Sequence, residues 1–248
     1  MSTFILNTIA FKKELDNGVS QSNFVSATHE LGFDAIEIRQ EYLHGNEEEL
    51  TEINKLANQN GLQVYLSVND DLLVNDSFNP KFADYLHMLK SLGSNHLKMN
   101  IGPLDKANTE LIKSKLIDLL PSNCVLTLEN NQTLEDSNFE NTVKFFQLLN
   151  TTDVENIHYC FDIANWSWLD ASAEKAAKAL SPVTTYLHLK NVNNENGHLT
   201  VTSLDEGKLD WCQLIGLFSN VQEFGLEYSA DLKTLSKDLG TLKQFLKK

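Results

Sequence analysis

Apolar residues along this chain fall into two alternating patterns. Short, nearly continuous runs such as FILNTIAF (4–11) and CVLTLENN (124–131) are followed by polar loops, and then by segments in which apolar positions recur with helical spacing. The first pattern suits a strand buried on both faces, and the second a helix that packs one face against it. Strand-like runs occur at 4–11, 33–39, 62–69, 95–102, 124–131, 157–165, 184–192 and 223–229, which makes eight. Helical patterns lie between and after them, among them SQSNFVSATHELG, NEEELTEINKLANQNG and NPKFADYLHMLKSLG, each opening on a capping residue and closing on glycine. One strand follows another at roughly 30 residues, the size of a βαβ unit. No Pro/Gly/Ser-rich linker interrupts the series. The predicted fold class is α/β, a single (β/α)₈ TIM barrel with residues 1–248 as one domain. An open doubly wound sheet is the alternative, but it usually carries a glycine-rich turn after its first strand, and LNTIAFKKEL has no glycine.

A (β/α)₈ barrel performs chemistry at the C-terminal ends of its strands, so polar residues late in a strand are the site candidates. Of the seven histidines, His96 and His158 open strands, His29 and His87 fall in helical patterns, and His44 and His198 in loops. Only His188, in TTYLHLKNV, sits late in a strand. The same rule selects Glu129 in VLTLENN, Asp162 in YCFDIAN and Glu227 in FGLEYS. These four residues come from strands five to eight. Three carboxylates and an imidazole at one mouth are expected to repel one another without a cation, and three oxygens with one nitrogen suit one divalent metal ion: manganese, magnesium, cobalt or zinc. Glu129, Asp162, His188 and Glu227 are therefore the expected metal ligands.

Composition narrows the partners. The 248 residues carry 34 Asp and Glu against 20 Lys and Arg, a formal charge of -14, which disfavours nucleic acid and anionic membrane as partners. A small molecule is favoured. No apolar run approaches a membrane span and the N-terminal stretch is too interrupted for a signal peptide, so a soluble, cytoplasmic chain is expected. Cys124, Cys160 and Cys212 show no metal-binding spacing and read as buried reduced thiols. Homo-oligomerisation is compatible with this reading.

The ordered set LEN with Glu129, FDIAN with Asp162, HLKN with His188 and LEYS with Glu227 resembles the xylose isomerase-like TIM barrels, the sugar phosphate isomerases and epimerases that include ketose 3-epimerases, inosose-processing enzymes and hydroxypyruvate isomerases. The resemblance spans the chain. LGFDAIEIR is similar to the family's second-strand signature, and SLDEGKLDW (203–211) to its segment after strand seven. Asn165, Asn191 and Asp205 stand where family members often have His, Asp and Gly. The same superfamily contains a DNA-repair endonuclease whose trinuclear zinc site needs more histidines than this chain offers. The resemblance implies a metal-dependent sugar, sugar phosphate or sugar acid isomerase or epimerase. Its mechanism would run through an enediolate, with Glu129 and Glu227 as the acid/base pair. A lyase or dehydratase acting beside a ketone is the alternative on the same site.

Further residues are candidates for substrate contact. Arg39, the only arginine, ends strand two; its guanidinium suits a carboxylate or phosphate, with pairing to Glu37 as the structural alternative. Lys98 and Lys190 fall late in strand four and just past His188, and would otherwise neutralise the acidic mouth. Asn131 and Asn165, like Asn7 and Asn69, suit sugar hydroxyls or helix caps. Trp166, with Trp168 in the same NWSW loop, suits either stacking on a sugar or burial under a helix. The segment 69–80 reads as a lid.

Overall fold

The computed structural model describes residues 2–74, 77–103, 109–134, 137–149, 155–169 and 171–247. The eight expected strands are present as β1 (Thr3–Asn7), β2 (Ala35–Arg39), β3 (Gln63–Asp71), β4 (His96–Asn100), β5 (Val125–Glu129), β6 (Ile157–Asp162), β7 (Thr184–Leu189) and β8 (Glu223–Leu226). They close into one barrel in sequence order, with β1 beside β8, and every neighbouring pair is parallel. Most end earlier than their apolar runs, because the chain turns once it has delivered a polar residue to the mouth. At β1 the Asn7 side chain accepts from the Ile9 backbone N–H and starts a turn of 3₁₀ helix, Thr8–Phe11.

Outer helices cover the barrel. Glu47–Asn60 is capped by Asn46, whose side chain accepts from Glu49 N–H; Glu47, Glu48 and Glu49 fill its first turn, and Gly61 ends it with a left-handed φ of 67°. Its Leu50, Ile53 and Ala57 are buried in the large cluster between helices and strands. A separate small cluster of Ile5, Ala35, Tyr65, Cys160 and Tyr186 fills the barrel interior. Strand alternation explains the division: Ile36 and Ile38 face the helices, whereas Ala35, Glu37 and Arg39 face inward. Gly225 belongs to this interior. A Cβ there would collide with the Tyr186 hydroxyl, so glycine is what lets that ring cross toward Glu37.

Two hairpins go beyond the expected elements. One pairs Leu73–Val74 with Ser77–Phe78 inside the segment read as a lid, of which Asn75 and Asp76 lie outside the described residues. The other pairs Asn191–Glu195 with His198–Thr202 after β7. It turns at Asn196 and Gly197, with φ of 53° and 87°, the geometry that Asn-Gly favours. Among the described residues, no helix is long and apolar enough to cross a membrane.

Gly225→Ala should destabilise the fold by about 1–3 kcal/mol in urea unfolding, the usual cost of overpacking, and Tyr186→Phe in the same chain should recover part of it. A second test concerns the opposite face of the barrel. Burial pushes His96, stacked on Tyr65, down to about 4, so the unfolded chain takes up this proton first as pH falls. The stability tied to a neutral His96 is complete above about 6.5, the ordinary histidine value, and is lost as pH falls toward 4. His96→Phe should therefore lose less stability than wild type between those values in pH-dependent melting.

Candidate active site

Glu129 and Asp162 are the last residues of β5 and β6, His188 is next to last in β7, and Glu227 directly follows β8. Each offers one donor atom, and the four atoms lie within 4.8 Å of one another. His188 Nδ1 is 2.6 Å from Glu129 Oε1 and 3.5 Å from Glu227 Oε2. Asp162, fully buried at the end of an apolar strand, is committed on one side: its Oδ1 accepts from the backbone N–H groups of Ala164 and Asn165 at 2.8 Å each, turning the chain after β6. Its Oδ2 faces the cluster. Asn130 clamps β5 to β6 by accepting from Asp162 N–H and donating to the Asp162 carbonyl.

A further layer orients His188. Its Nε2 lies 3.0 Å from Glu37 Oε2, and the same oxygen accepts from Asn7 Nδ2 and the Tyr186 hydroxyl. Glu37 is thus inside the barrel under the histidine and is not the partner of Arg39. Such a contact fixes which imidazole nitrogen faces the mouth. The signal for Glu37 was a carboxylate with isoleucine on either side, facing the same way as Arg39 two residues on.

The expectation that these carboxylates require a metal to coexist needs correcting, because the chain supplies cations of its own. Lys98 Nζ lies 2.5 Å from Glu129 Oε2. Lys190 Nζ lies 2.7 Å from Asp162 Oδ2 and 2.8 Å from Glu227 Oε2. Arg39 Nη1 reaches Glu227 Oε1 at 2.8 Å, while its Nε and Nη2 hold Glu41 Oε1 at 2.7 and 2.6 Å. Burial works to raise Glu129, but Lys98 and His188 outweigh it and hold the carboxyl down at about 2. Glu227 is likewise held well below the carboxylate range, burial being overcome by Lys190, His188 and Arg39. At Asp162 burial prevails and pushes the group up to about 6, with Lys190 opposing. Lys190 stays charged, because Asp162 and Glu227 outweigh the effect of its burial.

The donors fit a divalent ion in type and spacing, three carboxylate oxygens and one imidazole nitrogen on one wall. Glu129, Cys160 and His188 form a second group of similar spacing that shares two of the same residues. Glu129 and Glu227 line a cavity of about 640 Å³, with Asp162 and His188 fully buried behind them. Arg39, Lys98, Asn131, Asn165 and Lys190 line it together with Asn69 and Asn100. Trp166 does not. It is buried against Phe161, with ring centroids 5.7 Å apart, and serves as core. Asn7 is also withdrawn, committed to Glu37 and to capping its turn.

No protein-family model matches the sequence, and no curated protein does. Solved structures do match along the whole chain. A D-tagatose 3-epimerase-like protein superposes with a TM-score of 0.72 at 15% identity, covering 100% of this chain and 97% of that one. The probable 3-DHS dehydratase AsbF of Bacillus anthracis gives 0.70 at 19% identity over 97% and 98%. The chain has the xylose isomerase-like TIM-barrel fold. Other barrels of this fold that match are D-psicose 3-epimerase of Clostridium cellulolyticum, at 0.68 and 15% identity over 99% and 98%, and an AP endonuclease, family 2, of Brucella melitensis, at 0.65 and 16% over 98% and 99%.

Within this xylose isomerase-like barrel the Lys98–Glu129 pair is testable without any ligand. Both side chains are about 5% exposed or less, so removing one partner strands a buried charge. Lys98→Met should cost about 3–5 kcal/mol in urea unfolding, and adding Glu129→Gln to it should restore a large part. Additive losses would mean the two charges are not coupled.

Proposed function

We propose that this chain is a metal-dependent isomerase or epimerase of a small sugar, sugar phosphate or sugar acid. The observation that carries this reading is the convergence of Glu129 and Glu227, which line the cavity, with the buried Asp162 and His188 in one donor cluster. The matched epimerase structures support it by sharing the fold along their whole length. Glu129, Asp162, His188 and Glu227 would hold the ion. A divalent ion bound there would polarise a carbonyl and its neighbouring hydroxyl and offset the charge that develops when the carbon between them loses its proton.

Every other part of the chemistry falls to the chain. Glu129 and Glu227 come from β5 and β8, three strands apart around the ring, and so approach a substrate lying across the mouth from different sides. One removes the carbon-bound proton to give an enediolate and the other returns a proton, and the face or carbon that receives it decides between epimerisation and aldose–ketose isomerisation. Both glutamates are held ionised, so either can accept the carbon-bound proton, and the one that returns a proton must first take it up from solvent. Lys98 and Arg39 fix the two carboxylates in place. Asn69, Asn100 and Asn131 offer amides to hydroxyl groups at the wall, while Asn165 donates to the Asn130 carbonyl and accepts from Gln132. Arg39 keeps N–H groups beyond those given to Glu41 and Glu227, and with Lys190 it suits a substrate with an anionic end.

A dehydratase is the second reading, favoured by the match to the probable 3-DHS dehydratase. It shares the first proton abstraction and differs in expelling a hydroxyl group instead of returning the proton. DNA repair is disfavoured by the charge of -14 and by Asn165 at a position where a histidine would enlarge the metal site.

Turnover of a ketose panel in heavy water separates these readings. The epimerase reading expects deuterium at the carbon beside the carbonyl, and with metal occupancy confirmed, Glu129→Gln and Glu227→Gln should each lower turnover at least about a hundredfold. Product formed without solvent deuterium, or near wild-type rates in both variants, would overturn the two-base mechanism. A product lighter than its substrate by one water would establish the dehydratase. Arg39→Lys should raise KM for a phosphorylated or carboxylated substrate much more than for a neutral one, and equal effects would make Arg39 purely structural.

A further inference from the structure

Each carboxylate oxygen in the donor cluster can be assigned its partners, and the assignment singles out one residue. Asp162 Oδ1 is bound to two backbone N–H groups, so only Oδ2 can serve a metal, and Oδ2 is held by Lys190 Nζ at 2.7 Å. Glu227 Oε1 is held by Arg39, which leaves Oε2, and Oε2 is held by the same Lys190 Nζ at 2.8 Å. Glu129 differs. Lys98 takes its Oε2, while Oε1 accepts from His188 Nδ1 at 2.6 Å, a bond between two of the donors themselves that a shared ion would replace. Lys98 can therefore stay in place when an ion binds, whereas Lys190 bridges the remaining available oxygens of two of the four donors.

We propose that Lys190 is an internal stand-in cation: its ammonium closes the donor cluster, a divalent ion enters only by displacing it, and the displaced ammonium turns into the cavity as a donor to substrate oxygen. The inference rests on the metal reading given under Proposed function. An ion about 2.1 Å from Asp162 Oδ2 would lie no farther than about 4.8 Å from an unmoved Lys190 Nζ, the sum of that bond and the 2.7 Å contact. Two cations that close, buried together, repel strongly. The way out is short. Lys190 directly follows β7, shares the inward face of His188, and its side chain already lines the cavity wall. Displacement takes the ammonium from two carboxylates, a loss that the entering ion offsets by taking over their charge, and Asn100 and the substrate itself offer oxygens along that wall.

The test is Mn²⁺ titration calorimetry on chelator-treated wild type, Lys190→Met, Lys190→Arg and Lys12→Met, each checked for folding by circular dichroism. Lys12 also lines the cavity and removes one charge from the same field without touching a donor oxygen, pairing instead with Asp16. Lys190→Met should bind Mn²⁺ at least about tenfold more tightly than wild type, Lys12→Met should change affinity by less than about threefold, and Lys190→Arg should stay within about threefold of wild type or bind more weakly. A second readout follows the Lys190 ammonium itself: its ¹⁵N signal, identified by its loss in Lys190→Arg, should shift when diamagnetic Zn²⁺ is added to wild type. If wild type binds Mn²⁺ in an Asp162-dependent way but Lys190→Met binds no more tightly than Lys12→Met, or the ammonium signal does not move, the Lys190 inference falls and the metal reading stands. If none of the four proteins binds Mn²⁺, the metal reading falls and takes this inference with it.

Discussion

Neutralisation of buried carboxylates at the barrel mouth is the constraint on which the rest of the structure depends. Glu37, Glu129, Asp162 and Glu227 are all buried within a short distance of one another, in a place where an uncompensated charge would be costly. The chain answers with a fixed set of partners. Lys98 serves Glu129, Lys190 serves Asp162 and Glu227, Arg39 serves Glu227, and Asn7, Tyr186 and His188 converge on Glu37. Lys98, Arg39 and the contacts of Glu37 hold their carboxylates in place before any ligand arrives.

The barrel makes that arrangement available through strand alternation. Each strand sends every second residue inward, so one strand places Ala35, Glu37 and Arg39 at three depths and another places Cys160 beneath Asp162. Register then sets the neighbours. Asp162 pairs with His188, and His188 with Gly225, which leaves Glu227 one inward step above the glycine. Gly225 is small because Tyr186 needs the space, and Tyr186 crosses because Glu37 needs its hydroxyl. A residue deep in the barrel thereby bears on the orientation of His188 at the mouth.

The fold was legible because its periodicities are strong: every expected barrel strand is present, and the donors Glu129, Asp162, His188 and Glu227 stand out as polar residues at the ends of apolar runs. Other features were harder to read for identifiable reasons. Glu37 and Arg39 are two residues apart on one face, which suggests a pair, but they lie at different depths, and Arg39 turns to Glu41 and Glu227 instead. The sequence left Lys98 and Lys190 between contacting substrate and neutralising the mouth, and the three-dimensional pairing of Lys98 with Glu129 and of Lys190 with Asp162 and Glu227 shows that the carboxylates can coexist without an external cation. Trp166 allowed two placements, and core packing against Phe161 decided between them. The hairpin after β7 carried a readable signal in Asn196-Gly197 that its polar flanks obscured.

The most direct test of the account is a crystal structure of the chain grown with Mn²⁺, with anomalous scattering measured at the manganese edge. The account predicts one anomalous peak per chain, about 2.0–2.3 Å from single atoms of Glu129, Asp162, His188 and Glu227, with Lys190 Nζ withdrawn from Asp162 Oδ2 toward the cavity. A mouth without an anomalous peak and with Lys190 still bridging Asp162 and Glu227, or a peak held by other residues, would contradict it.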